Sequence, residues 1–277
     1  MPELPEVETI CKLLREGGPS NPPLVGRTIS DVQLLWPRTL EKPAEDEFIR
    51  RLPAQIIQNI RRRGKFLIFN LSQDAFLVHL RMSGDLRVEP IDAPVLPHDR
   101  LIIFLASLGS LPGVRIAFND TRKFGRVWLV RDPLEVVGEI GPEPLDESFT
   151  SQDLYQKLLK SRRQLKPLLL DQTFLAGLGN IYADEALHRS HLHPLMLSNQ
   201  VSEQQALRLW EGIRQALQDG IHHNGASIDW VYRGGDFQNY FRVYQRTGQP
   251  CPVCGTPIER IVVGQRGTHF CPKCQGG

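Results

Sequence analysis

Residues 251–274 read CPVCGTPIERIVVGQRGTHFCPKC, two Cys-x-x-Cys pairs separated by sixteen residues. That spacing lets two short knuckles supply four thiolates to one tetrahedral zinc. In an exported chain the same residues would fit two disulfides or redox pairs. The first thirty residues argue against export, because Glu3, Glu6, Glu8 and Glu16 stand where a signal peptide carries basic residues and then an apolar run. Four thiolates leave no coordination position for water, so a single Zn2+ held by Cys251, Cys254, Cys271 and Cys274 is expected to be structural. It should hold a β-hairpin with Gly264-Gln-Arg266-Gly-Thr-His-Phe270 as its tip. A glycine-flanked arginine there can reach a phosphate or enter a groove, although a solvated side chain fits equally well. The fifth cysteine, Cys11, lies on an apolar helix face and reads as core packing.

Upstream of the finger the pattern is helical. Ser151–Lys160, Pro167–Phe174, Ile181–Arg189 and Ser202–His222 carry apolar residues at helical spacing, with Thr150-Ser151 and Ser202 as candidate caps. Before them, Arg131–Thr150 is rich in Pro, Gly and acid without periodicity, which is linker composition. The N-terminal half changes period again. Pro2–Gly17 places Leu4, Val7, Ile10, Cys11 and Leu14 on one helix face. Short β-rich runs follow at Val25–Leu35, Ile56–Leu71, Ala75–Val88, Leu101–Ala106, Val114–Phe118 and Val127–Val130, the pattern of a sandwich or barrel.

The whole chain has 277 residues, 41% hydrophobic and 23% charged, proportions that allow a buried core and exclude disorder, collagen and coiled coil. No stretch approaches the roughly 18 consecutive apolar residues of a membrane span. A cytoplasmic chain without membrane contact is expected. The net charge of +2 conceals a distribution: residues 1–130 hold 18 basic and 15 acidic side chains, residues 131–150 hold 1 and 6, and residues 151–277 hold 14 and 10. An acidic segment therefore cancels two basic halves. The expected division is 1–131, a linker over 132–150, a helical domain over 151–242 and a zinc finger over 243–277.

At the N-terminus the sequence is Met1-Pro-Glu-Leu-Pro-Glu-Val-Glu-Thr9. Removal of Met1, favoured by the small second residue, would leave Pro2 with a secondary α-amine. Such amines titrate near roughly 8, far below a lysine. A partly unprotonated amine is a competent nucleophile towards an aldehydic carbon, and Glu3 beside it and Glu6 one turn on offer carboxyls for acid/base work. The same residues also make an ordinary helix start.

MPELPEVET at one end, the four-cysteine finger at the other and Gly177-Leu-Gly-Asn180 between them resemble the bacterial formamidopyrimidine-DNA glycosylases over essentially the whole chain. The resemblance implies an α+β protein of two domains, an N-terminal catalytic β-sandwich with flanking helices and a C-terminal helical helix-two-turn-helix domain carrying the finger. It also implies a monomer acting on double-stranded DNA with oxidised bases or abasic sites. The implied chemistry is excision of oxidised purines followed by β,δ-elimination, with no metal in the reaction.

Site residues follow by position. Pro2 resembles the nucleophile at C1′, Glu3 the acid assisting ring opening and base departure, Lys65 the sandwich lysine at the lesion phosphate, and Arg266 the arginine of the second elimination. Glu6 matches a glutamate near the lesion pocket. Met82, Arg122 and Phe124 match the three side chains that fill the vacated stack, with Arg122 at the widowed cytosine. His79, His98, Lys166, Asn180 and Tyr244 match DNA contacts. Arg61-Arg-Arg-Gly-Lys65 would form a basic strand edge suited to phosphates, and Gly-rich turns followed by a helix N-terminus suit them too. Residues 227–243 correspond to the loop over an everted base, without a secure alignment. Two other readings share these features: an endonuclease VIII-like enzyme for oxidised pyrimidines, disfavoured by the second Pro of PELPEV and the Met82, Arg122, Phe124 set, and a non-enzymatic zinc-ribbon nucleic-acid-binding protein.

Overall fold

The apolar residues of the first helix do divide as their spacing requires. Helix α1 (Leu4–Glu16) buries Val7, Ile10, Cys11 and Leu14 in the core of the N-terminal sheets. The structure, a computed structural model, describes residues 1–18, 21–227 and 234–276. These form two compact units, Met1–Pro2 with Glu6–Glu139, and Glu3–Pro5 with the described residues from Ile140 onward.

The first unit is a sandwich of two sheets. Its strands are β1 (Ile29–Leu34), β2 (Leu40–Lys42), β3 (Ile57–Arg63), β4 (Phe66–Leu71), β5 (Ala75–His79), β6 (Gly84–Pro90), β7 (Asp99–Leu105), β8 (Val114–Asp120) and β9 (Arg126–Val130). One sheet has the order β1-β7-β8-β6 and the other β2-β9-β5-β4-β3. Every pairing is antiparallel except β2 with β9. Both inner faces, with α1, share one apolar core that includes Phe48, Phe69, Phe76 and Phe118. Two of the β-rich runs each hold two strands. Ile56–Leu71 is the hairpin β3–β4, turning at Gly64-Lys65. Ala75–Val88 splits at Leu80–Ser83, so β5 and β6 lie in different sheets. Helix α2 (Glu45–Arg51) and the short α3 (Leu134–Val137) complete the unit.

The second unit packs α4 (Ser151–Leu159), α5 (Leu165–Leu169), α6 (Asn180–Arg189) and α7 (Glu203–His222) round a core rich in leucine, with Tyr182 stacked on Phe237 at 5.4 Å. Capping boxes start α4 at Thr150 with Asp153 and α7 at Ser202 with Gln205. Helix α5 is shorter and earlier than the expected Pro167–Phe174, since its amides at Leu165 and Lys166 bond back to Met196 and Pro194. The strands β10 (Glu259–Val263) and β11 (Arg266–Phe270) form the finger hairpin. Its turn is Gly264-Gln265 alone, and Arg266 opposite Val263 begins β11. The expected α+β fold, sandwich followed by helices and finger, is the one observed. Among the described residues no helix is long and apolar enough to cross a membrane.

Candidate active site

In the sandwich unit the apolar side chains expected to enter DNA stand out of the surface. Met82 and Phe124 are 40% and 47% exposed, on the β5–β6 and β8–β9 connections. Arg122 lies over the Phe124 ring, its guanidinium carbon 5.2 Å from the centroid, a cation–π contact. Exposed His98, with a positive φ of 75°, places Nδ1 3.2 Å from the Arg100 guanidinium.

Three expected site residues of this unit, Lys65, Glu6 and His79, are buried. Lys65 is 4% exposed and Glu6 2%. His79, expected as a DNA contact, is 7% exposed, packed edge-on against Phe66 at 4.6 Å. Its Nδ1 accepts the Arg81 amide at 3.0 Å, which places the ring proton on Nε2. Burial, together with the nearby Arg81 and Lys65 charges, pushes its pKa down from 6.5 to about 3, so the ring is neutral. Pro2 is buried beneath an exposed Met1.

In the second unit helix α6 carries the site. The Glu3 carboxylate accepts the amides of Gly179 at 2.8 Å, Ile181 at 3.0 Å and Tyr182 at 3.3 Å, and Leu4 donates its own amide to the Gly177 carbonyl at 3.0 Å. An anion on the free amides of a helix N-terminus is favourably placed. The glycine is required for space: a Cβ on Gly179 would overlap the Glu3 carboxyl group. The amides expected to hold a phosphate thus hold Glu3 instead.

Lys166 also departs from expectation. It is fully buried, with Nζ 2.5 Å from Asp184 and 2.8 Å from the Asn180 carbonyl. Burial draws its pKa down, opposed by Asp184 and Glu3. In this structure its ammonium is spent on the start of α6, on Asp184 and the Asn180 carbonyl. Asn180, partly exposed, donates Nδ2 to the Gly267 carbonyl at 3.0 Å.

Two acids that the sequence reading passed over tie α6 to the finger. Asp184 accepts the His269 amide of β11 at 2.9 Å, and Glu185 accepts the amides of Arg242, Val243 and Tyr244 at 3.0 Å each. Burial raises the Glu185 pKa against these three donors. Both lie in the wholly buried run Ile181–His188, so folding obliges them to be partnered. Partly exposed Tyr244 packs against Phe241 at 5.4 Å and His269 at 5.1 Å, and Arg266 is exposed.

The four finger cysteines lie with their sulfurs within 4.8 Å of one another, Cys251 to Cys274 at 3.9 Å and Cys254 to Cys271 at 3.4 Å. Zinc–sulfur bonds of about 2.3 Å in a tetrahedron put sulfurs roughly 3.8 Å apart, so the cluster fits one structural zinc. Of the expected loop over the base, 227–243, residues 228–233 lie outside the described residues.

Residues 1–127 match the formamidopyrimidine-DNA glycosylase N-terminal domain, residues 140–231 the formamidopyrimidine-DNA glycosylase H2TH domain, and residues 248–276 the zinc finger found in FPG and IleRS. The formamidopyrimidine-DNA glycosylase of Protochlamydia amoebophila is 42% identical over 285 aligned positions, 99% of each chain. The chain is similar to a Lactococcus lactis FPG mutant solved with Fapy-dG-containing DNA, with a TM-score of 0.90, 38% identity and 100% of both chains covered. It is equally similar to the Lactococcus lactis Fpg with abasic-site DNA, with a TM-score of 0.90, 37% identity, and 99% of this chain and 100% of that one covered. This chain belongs to the formamidopyrimidine-DNA glycosylase family.

Proposed function

We propose that the chain is a bifunctional glycosylase and AP lyase that removes 8-oxoguanine and formamidopyrimidines from duplex DNA and cleaves the strand. The observation that carries this reading is the seat of Glu3: a carboxylate one residue from Pro2 is fixed by the amides of Gly179, Ile181 and Tyr182 at the start of α6. Free of Met1, the Pro2 nitrogen attacks C1′ of the damaged nucleotide as the bond from C1′ to the base breaks. Glu3 supplies the proton that opens the ribose ring, and the nitrogen lone pair completes an iminium at C1′. Loss of a C2′ proton then expels the 3′ phosphate, and a second elimination expels the 5′ phosphate, the step given to Arg266. Lys65 holds the lesion phosphate. Met82, Arg122 and Phe124 take the space of the everted base, and the exposure of all three in the sandwich unit supports that role. The Lactococcus lactis complexes with Fapy-dG and abasic-site DNA support the two halves of the activity.

Borohydride trapping tests the reading, with duplexes carrying either 8-oxoguanine opposite cytosine or thymine glycol. A covalent adduct at Pro2 with the first duplex is expected. No adduct with either, in protein whose intact mass proves that Met1 is gone, would overturn it. An adduct with thymine glycol alone would assign the chain to oxidised pyrimidines.

A further inference from the structure

Met82 sits on one turn, Arg122 and Phe124 on another, and a wedge made from two turns is useful only if the two are held in register. Beneath the exposed side chains lies a buried polar knot. Asp120, the last residue of β8, is fully buried, and Ser83 is 5% exposed. The Ser83 hydroxyl donates to Asp120 Oδ1, closing the gap between the turns. The Arg122 amide donates to the same pair, 3.2 Å from Asp120 Oδ1 and 3.2 Å from Ser83 Oγ. The Gly125 amide donates to Asp120 Oδ2 at 2.6 Å. The backbone of Asp120 is tied as well: its amide donates to the His98 carbonyl at 3.0 Å, and its carbonyl accepts from Arg100 Nε at 2.8 Å. Space at the knot is exhausted, because a Cβ on Gly125 would overlap Phe118 and come to 3.1 Å from Asp120 Oδ2.

We propose that Asp120 and Ser83 are the positioning residues of the wedge, one carboxylate and one hydroxyl fixing Met82, Arg122 and Phe124 as a single rigid unit before DNA arrives. The proposal rests on the glycosylase reading above and adds to it the part that sets the wedge. An ordinary turn cap would need only the Arg122 and Gly125 amides. The Ser83 bond reaches across to the turn bearing Met82, a tie with no use in capping. Only an acid serves here. Each carboxylate oxygen faces a backbone N–H, so an asparagine would turn its own N–H2 against one of them and leave a buried donor unpaired. Rigid placement matters because side chains displaced by about 1 Å can lose roughly a hundredfold in rate.

The test compares Asp120→Asn, Ser83→Ala and Phe124→Ala with the full chain in single-turnover excision. One duplex carries 8-oxoguanine opposite cytosine, and a second carries the same lesion opposite a tetrahydrofuran site, where no partner base remains to be held. Eversion is followed by 2-aminopurine fluorescence beside the lesion. Asp120→Asn is expected to slow eversion and excision roughly 10- to 100-fold on the first duplex and much less on the second. Ser83→Ala, which leaves the Arg122 and Gly125 bonds to Asp120 in place, should show the same pattern in milder form. Equal slowing on both duplexes, or no slowing while Phe124→Ala is impaired, would overturn the proposal. Wild-type rates for Phe124→Ala on both duplexes would instead remove the wedge reading on which it stands.

Discussion

Glu3 is held by contacts that allow little choice at position 179. Gly179 has φ −131°, a backbone any residue adopts, so it is the overlap with Glu3, not backbone strain, that excludes a side chain there. Gly179→Ala is therefore expected to push the carboxylate off its three amides, lowering single-turnover excision by roughly 10- to 100-fold. The collision should also destabilise the protein by about 1–3 kcal/mol, measured by urea unfolding. In a Glu3→Ala background the collision partner is gone, and the added alanine should change stability little. A destabilisation of the same size in both backgrounds would mean that Gly179 serves something other than Glu3. His79 gives a pH prediction. Its folded pKa near 3 lies below the unfolded value of 6.5, so unfolding takes up a proton between these values. Its stabilising effect is whole above pH 6.5 and is lost as pH falls from there towards 3, by at most about 1.4 kcal/mol per pH unit. His79→Gln should flatten the urea-derived stability profile between pH 6 and 4 by that slope, and an unchanged slope would place the proton elsewhere.

Helix α6 shows why elements were easier to read than their purposes. Its period and the caps of α4 and α7 are local facts, and local facts are visible in sequence. So were Cys11 in the core and the paired finger cysteines. The hairpin β3–β4 was hidden because a two-residue turn at Gly64-Lys65 barely interrupts an apolar run, and α2 is too short for a period to register. The role of Lys166 was hidden for a different reason: its partners, Asp184 and the Asn180 carbonyl, lie 18 and 14 residues away, and only folding brings them to it. The same holds for Asp120 and Ser83, 37 residues apart. Lys166→Ala leaves Asp184 buried without its cation and should destabilise the protein by about 3–5 kcal/mol, read from the midpoint of urea unfolding. Because Asp184 also holds the His269 amide, the finger hairpin should lose hydrogen-exchange protection in the same variant. Normal stability with weakened DNA binding would return Lys166 to the phosphate expected for it.

Charge belongs to the chain as a whole, and here the burial of individual cations decides how it is used. A net +2 over 277 residues gives little general attraction to DNA. Lys65 is 4% exposed and Lys166 fully buried, whereas Arg266 is exposed at the start of β11. Binding carried by few phosphate contacts should still fall with salt, since each neutralised phosphate contributes a slope of about −0.9 in log K against log salt. Arg266→Gln should therefore make the slope shallower by about 0.9 on duplex DNA, with less δ-elimination product. His79→Gln should leave the slope unchanged, because a neutral buried ring releases no counterion. Fluorescence anisotropy across a salt series measures both. A slope that is the same for Arg266→Gln as for the parent would separate the elimination step from phosphate binding and leave Arg266 to chemistry alone. A slope altered by His79→Gln would mean that the ring is charged when DNA is bound, against the burial that keeps it neutral in the free protein.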